Sequence, residues 1–82
     1  MARSKHSSNA TTEFGRRLRA RRERLGLSQL ALGERAGLHF TFVSDLERGT
    51  RNPSLLTMLR LARALEVDLA TLVKQLPEDD IE

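Results

Sequence analysis

An all-α fold is what this sequence predicts, and three observations carry the prediction. No stretch alternates apolar with polar residues as a half-buried strand does. Apolar residues recur three and four positions apart instead, the spacing of one helix face. Helix starters at Thr12 (or Thr11), Ser28, Ser54 and Asp68 also trade places along the chain with stops at Gly26, Gly37, Gly49 and Pro77. The connections left between them, about three to six residues each, suit a compact helical domain.

The first helix is expected from about 13 to 25, with Phe14, Leu18 and Leu25 on its inner stripe and Gly26 as its end. Ser28 caps the second, which runs to Ala36 with Leu32 and Ala36 on the buried side. Gly33 is small enough for a neighbouring helix to approach, and Gly37 suits the left-handed position that closes a helix. Leu38 anchors the turn. A third helix starts at His39 or Phe40 and ends near Arg48, with Val43 and Leu46 inward. Ser54 caps a fourth, with Leu55, Leu59, Ala62 and Leu65 inside. Asp68 caps a fifth, with Leu69, Leu72 and Val73 apolar, and Pro77 stops it.

Eighty-two residues make one small domain. Residues 1–11 read as a disordered polar arm, 12–76 as the folded unit and 77–82 as an acidic tail. A chain this short buries only about 60% of its unfolded surface, so its core is modest. With no Cys, a disulfide scaffold and thiolate zinc sites are excluded. No run reaches the roughly 20 apolar residues of a membrane helix, and MARSKHSSNATT is too polar for a signal peptide. His6 and His39 lie far apart without a nearby set of acids, so no metal site is expected. No Gly-rich phosphate loop or paired base supports catalysis, and no cofactor or small-molecule ligand is expected.

Charge is unevenly placed. The overall net is +3, yet residues 1–26 hold eight Lys/Arg against two acids, while residues 54–82 hold three against six. One basic end of a small domain can face phosphates; the bland alternative is a solvated Arg-rich helix face. Two further charges fall where charges are costly. Arg22 lies four after Leu18, and Glu47 lies four after Val43, both on or beside an apolar stripe. Each needs a partner, and the simplest is the other, the guanidinium fork meeting the carboxylate.

Two short helices joined through Gly37 are the parts of a helix-turn-helix, in which the second helix stands clear to enter a DNA groove. The residues Ser28-Gln29, Leu32, Gly33, Ala36-Gly37-Leu38, Val43-Ser44, Leu46-Glu47-Arg48-Gly49 and Arg51-Asn52-Pro53-Ser54 resemble the Cro/CI-type (XRE) helix-turn-helix family. The likeness spans roughly residues 13 to 73. Within that family the run LHFTFVSDLERGTRNPS is similar to the controller proteins of restriction–modification systems.

The resemblance implies a five-helix, lambda-repressor-like domain that binds double-stranded DNA in the cytoplasm. It places Gln29 at a phosphate, where the free amides of a helix start also favour an anion. It places the third helix in the major groove, with His39, Phe40, Thr41, Ser44 and Asp45 nearest the bases and Arg48 completing that set. Arg51 and Asn52 would meet the backbone or a base edge, with Arg17 of the basic first helix at a phosphate. Arg22 and Glu47 match the family's internal salt bridge. Phe40 departs from the Arg or Gln of many relatives; it can touch a thymine methyl but cannot fork onto guanine.

One unit makes few base contacts, so a homodimer on a palindromic operator is expected, with half-sites about 34 Å apart. Leu56, Leu69, Leu72 and Leu76 are candidates for its interface, with Ile81 beyond them; the competing reading puts Leu69 and Leu72 in the core. Such a dimer would regulate transcription as repressor or activator, in one version over restriction–modification genes. The rival classes are a DNA-binding antitoxin or protein-interaction adaptor of the same fold, and a non-specific basic binder of nucleic acid.

Overall fold

The computed structural model describes residues 7–78. Five helices follow in order: α1 Asn9–Arg24, α2 Gln29–Ala36, α3 Phe40–Glu47, α4 Leu55–Ala64 and α5 Leu69–Val73. Among the described residues there is no strand. Helix α3 packs against α1 and α2, while α4 and α5 close the other side of the core.

α1 begins earlier than its sequence signals suggest. Ser8 is the N-cap, its hydroxyl accepting from the Thr11 amide at 3.0 Å while its own amide donates to the Thr11 hydroxyl at 2.8 Å. Residues 9–11 are therefore helical, not part of a disordered arm. Thr in place of the usual Glu or Gln at the third position hid this reciprocal cap. The Thr11 hydroxyl also donates to the Gly49 carbonyl at 2.9 Å, a long-range tie that fixes the helix start against the α3–α4 loop. Residues 1–6 and the tail from 79, including Ile81, lie outside the described residues.

The core draws on every helix: Phe14 and Leu18, Leu32 and Ala36, Val43 and Leu46, Leu61, Ala62, Ala64 and Leu65, and Leu72. Full burial of each large apolar side chain stabilises the fold by roughly 1.5–3 kcal/mol. The α4 stripe differs from the expected one. Leu55 and Leu59 are 60% and 46% exposed, whereas Leu61 is fully buried. With Met58, Leu61, Ala62 and Leu65 turned inward, leucines lie on both faces of α4, and leucine identity could not say which face the neighbours cover.

Two glycines permit close contacts. A Cβ on Gly15 would stand 2.3 Å from the Leu46 carbonyl oxygen and 2.7 Å from that of Glu47, so α1 lies directly on the end of α3. A Cβ on Gly33 would stand 2.4 Å from the Leu38 carbonyl oxygen. What approaches Gly33 is thus the turn leaving α2, not a separate helix. In that turn Gly37 takes φ 72° and the Leu38 amide donates to the Gly33 carbonyl at 2.8 Å.

α5 also ends differently from expectation. It stops at Val73, before Pro77, and Asp68 stands at its start without a side-chain cap bond. Its end is held from α1: Arg17 donates to the carbonyls of Leu72 at 3.3 Å and Lys74 at 2.7 Å. Arg21 likewise donates to the Leu65 carbonyl at 3.0 Å, at the end of α4. Guanidinium groups are well matched to these orphan carbonyls at the negative ends of helices.

Glu13 orients this strut. It accepts from Arg17 at 2.9 Å and from Arg16 at 2.9 and 2.8 Å. The Arg16 and Arg17 hydrogen bonds hold its carboxyl at about 2, below the ordinary 4.5. A lowered folded value means stability that is present above about 4.5 and is lost as pH falls toward about 2. Acid titration of the unfolding free energy should therefore be shallower in Glu13→Gln than in the parent over that range. Gly15→Ala should cost about 1–3 kcal/mol in urea denaturation, as α1 and α3 are forced apart; an unchanged midpoint would contradict the contact.

Candidate functional site

One turn of buried chemistry sets the angle of α3. Arg22 Nε donates to Glu47 Oε2 at 2.6 Å and Nη2 to Oε1 at 3.0 Å, a two-pronged pair. The third guanidinium nitrogen, Nη1, donates to the Leu27 carbonyl at 2.8 Å. Gln29 Nε2 adds a bond to Glu47 Oε1 at 3.1 Å. The two charged side chains are only 11% and 4% exposed. Residues of α1 and α2 thus meet at one α3 carboxylate, and the same guanidinium holds the α1–α2 turn. The Glu47 hydrogen bonds raise the already high Arg22 value, so the cation persists.

With Val43 and Leu46 inward, Phe40, Thr41, Ser44, Asp45 and Arg48 form the outer face of α3, at helical spacing. His39 is the N-cap, its Nδ1 accepting from the Thr41 amide at 3.1 Å. Its ring stacks on Phe40, centroids 4.9 Å apart, and Phe40 is 47% exposed. Phe42 instead packs against the core, with the Arg51 guanidinium 5.4 Å from its ring centroid. Arg48 donates to the Ser44 hydroxyl at 2.7 Å and pairs with Asp45, and Arg51 Nε lies 3.5 Å from the same carboxylate. Arg51 and Asn52 are exposed in the loop beside this face.

The structure does not bring every expected residue to this face. Arg17 is spent on Glu13 and the end of α5, so its guanidinium is internally committed. The Gln29 side chain is committed to Glu47. Only the first α2 amides beside it, which lack intrahelical acceptors, remain suited to an anion. Leu72 is fully buried and offers no interface surface; Leu69 and Leu76 are half-buried against the core. Leu56 is 67% exposed, flanked on α4 by the exposed Leu55 and Leu59, which the sequence reading had placed inside. The Asp45 junction of Arg48 and Arg51 was missed, although spacings of three and six residues from one acid were visible.

The chain is similar to helix-turn-helix domains of known proteins. A helix-turn-helix family model (HTH_3) matches residues 18–72. Control protein C.BamHI of Bacillus amyloliquefaciens is 39% identical over 62 residues, covering 74% of this chain and 76% of that protein. The crystal structure of the restriction–modification controller protein C.AhdI from Aeromonas hydrophila is similar with TM-score 0.75 and 44% identity, over 76% of this chain and 94% of that one. The P22 c2 repressor, solved in complex with a synthetic operator, is similar with TM-score 0.71 and 36% identity, over 74% of this chain and 92% of that one. Other matching regulators are longer; the chain spans 34% and 41% of the length of two of them. No helix among the described residues is long and apolar enough to cross a membrane.

Truncating Glu47 to Ala would strand the Arg22 guanidinium and one Gln29 bond. Chemical denaturation should show a loss of roughly 3–5 kcal/mol. A loss below about 1 kcal/mol would mean that the pair does not hold α3.

Proposed function

The chain belongs to the helix-turn-helix family (HTH_3), and on that premise we propose that it is a sequence-specific regulator of transcription that reads a duplex operator with the outer face of α3. The observation that carries this reading is the free face itself: Phe40, Thr41, Ser44, Asp45 and Arg48 on one side of a short helix, with Arg51 and Asn52 adjoining. The major groove admits one α-helix, and these side chains are of the kinds that touch base edges and methyl groups. The α2 amides and Arg51 supply contacts to the backbone, which set register. Likeness to regulators of bacteria and a bacteriophage supports residence in the cytoplasm.

A homodimer on a palindrome fits the small number of contacts that one unit makes. The unpartnered Leu55, Leu56 and Leu59 of α4 supply its apolar contact. Likeness to C.BamHI and C.AhdI supports a role over restriction–modification genes. Roles for Arg17 and the Gln29 side chain at phosphate are not carried forward, because both are committed inside the fold.

Selection from random duplexes at about 150 mM salt should enrich a palindrome; recovery without enrichment would leave a non-specific binder. Against the enriched site, Thr41→Ala should cost about 1–3 kcal/mol while affinity for scrambled DNA holds. Arg51→Ala should weaken binding to the enriched site and lower its salt slope by about one unit, whereas Arg17→Ala should leave the slope unchanged and reduce stability.

A further inference from the structure

Asp45 is an unexpected residue on a surface proposed to face phosphates. A carboxylate there repels the backbone of any duplex. It nevertheless occupies the middle of the outer face of α3, with Ser44 beside it and Thr41 one turn back. Two arginines converge on it. Arg48 reaches back one turn along the helix, pairing with Oδ1 by one terminal nitrogen and donating to the Ser44 hydroxyl by the other at 2.7 Å. Arg51 reaches in from the loop to Oδ2 at 3.5 Å, over the Phe42 ring. The Asp45 side chain keeps 20% exposure, against 59% and 52% for the arginines, so the two cations cover the anion. The Asp45 backbone carbonyl accepts from the Thr50 amide at 3.1 Å and hydroxyl at 3.0 Å, so the loop carrying Arg51 is tied to the residue that holds it.

Resting on the reading of α3 as the base-reading helix, we propose that Asp45 sets its specificity by holding Arg48 and Arg51 away from sequence-neutral phosphate contact and by accepting from the N4 amino group of a cytosine. On arbitrary DNA, an arginine that moves to a phosphate leaves the carboxylate exposed beside the same backbone. The exchange therefore gains little. At a C·G pair the cytosine N4 amino group donates to Asp45 in the arginine's place, and the freed guanidinium finds guanine O6 and N7 or a phosphate. Both charges keep partners there, whereas a T·A pair in the same place turns the thymine O4 acceptor toward the carboxylate. Specificity then arises from a repulsive element relieved by the correct base, together with the attraction it permits.

The test compares the full-length parent with Asp45→Asn on the selected palindrome and on a scrambled duplex across a salt series. Glu13→Gln is the control, since it removes one negative charge and the ion pair of the exposed Arg16 on α1 instead. Asp45→Asn should bind scrambled DNA about fivefold or more tightly than the parent, with a salt slope steeper by about one unit. Its preference for the palindrome should fall about tenfold, and at one C·G pair per half-site it should tolerate a T·A replacement that the parent rejects. Should its melting differ from the parent's, Asp45→Ser is read in its place. Equal gains in Glu13→Gln would assign the effect to net charge and overturn the proposal, as would unchanged discrimination in Asp45→Asn. If the parent enriches no sequence, the functional reading itself fails. An enriched palindrome with no Asp45-dependent C·G pair sinks this inference alone.

Discussion

The buried pair of Arg22 and Glu47 is the constraint on which the proposed reading surface depends. A carboxylate 4% exposed needs partners, and it takes them from two neighbouring helices, the Arg22 fork on α1 and Gln29 on α2, while the remaining Arg22 nitrogen donates to the Leu27 carbonyl of the turn. Each bond is directional, so together they restrict how α3 meets α1 and α2. Hydrophobic contacts of Val43 and Leu46 supply burial without that discrimination. The close approach at Gly15 makes the junction tight, bringing α1 onto the last carbonyls of α3. With its inner side held in this way, α3 leaves its outer side free.

The arginines of α1 show how the same residue type serves different ends. Residues 1–26 carry most of the chain's basic charge, which suggests a surface for polyanions. Arg17 and Arg21 instead reach across to the carbonyl ends of α5 and α4, and Arg22 is internal. In a domain with a small core, these caps tie the last two short helices to the first. A five-residue helix such as α5 has little stability of its own. Basic charge density in the sequence was thus partly a record of internal bonding. The arginines on the proposed reading side, Arg48 and Arg51, come from the segment whose formal charges balance.

Aromatic and aliphatic residues divide in a similar way between inside and outside. Phe40 and Phe42 are two positions apart, and one is exposed beside His39 while the other supports the core and Arg51. On α4 the leucines split into a buried group about Leu61 and an exposed group of Leu55, Leu56 and Leu59. A single helix cannot bury both sides in a domain this thin. The exposed group is consequently the apolar surface most available to a second copy in the proposed dimer.

Local chemistry was enough to determine much of this protein from its residues alone. The helix count, the Ser28 and Ser54 caps, the left-handed turn at Gly37 and the inward charges at Arg22 and Glu47 all depend on neighbours within a few positions or on a simple need for a partner. Tertiary structure decided what depends on groups distant in sequence. It chose which leucines of α4 are covered, turned Arg17 and Gln29 inward, tied the start of α1 to the α3–α4 loop through the Thr11–Gly49 bond and gathered Arg48 and Arg51 on Asp45. The reason is physical: a side chain's reach and periodicity are written locally, but the carbonyl, carboxylate or apolar face that satisfies it is supplied by whichever segment packs beside it.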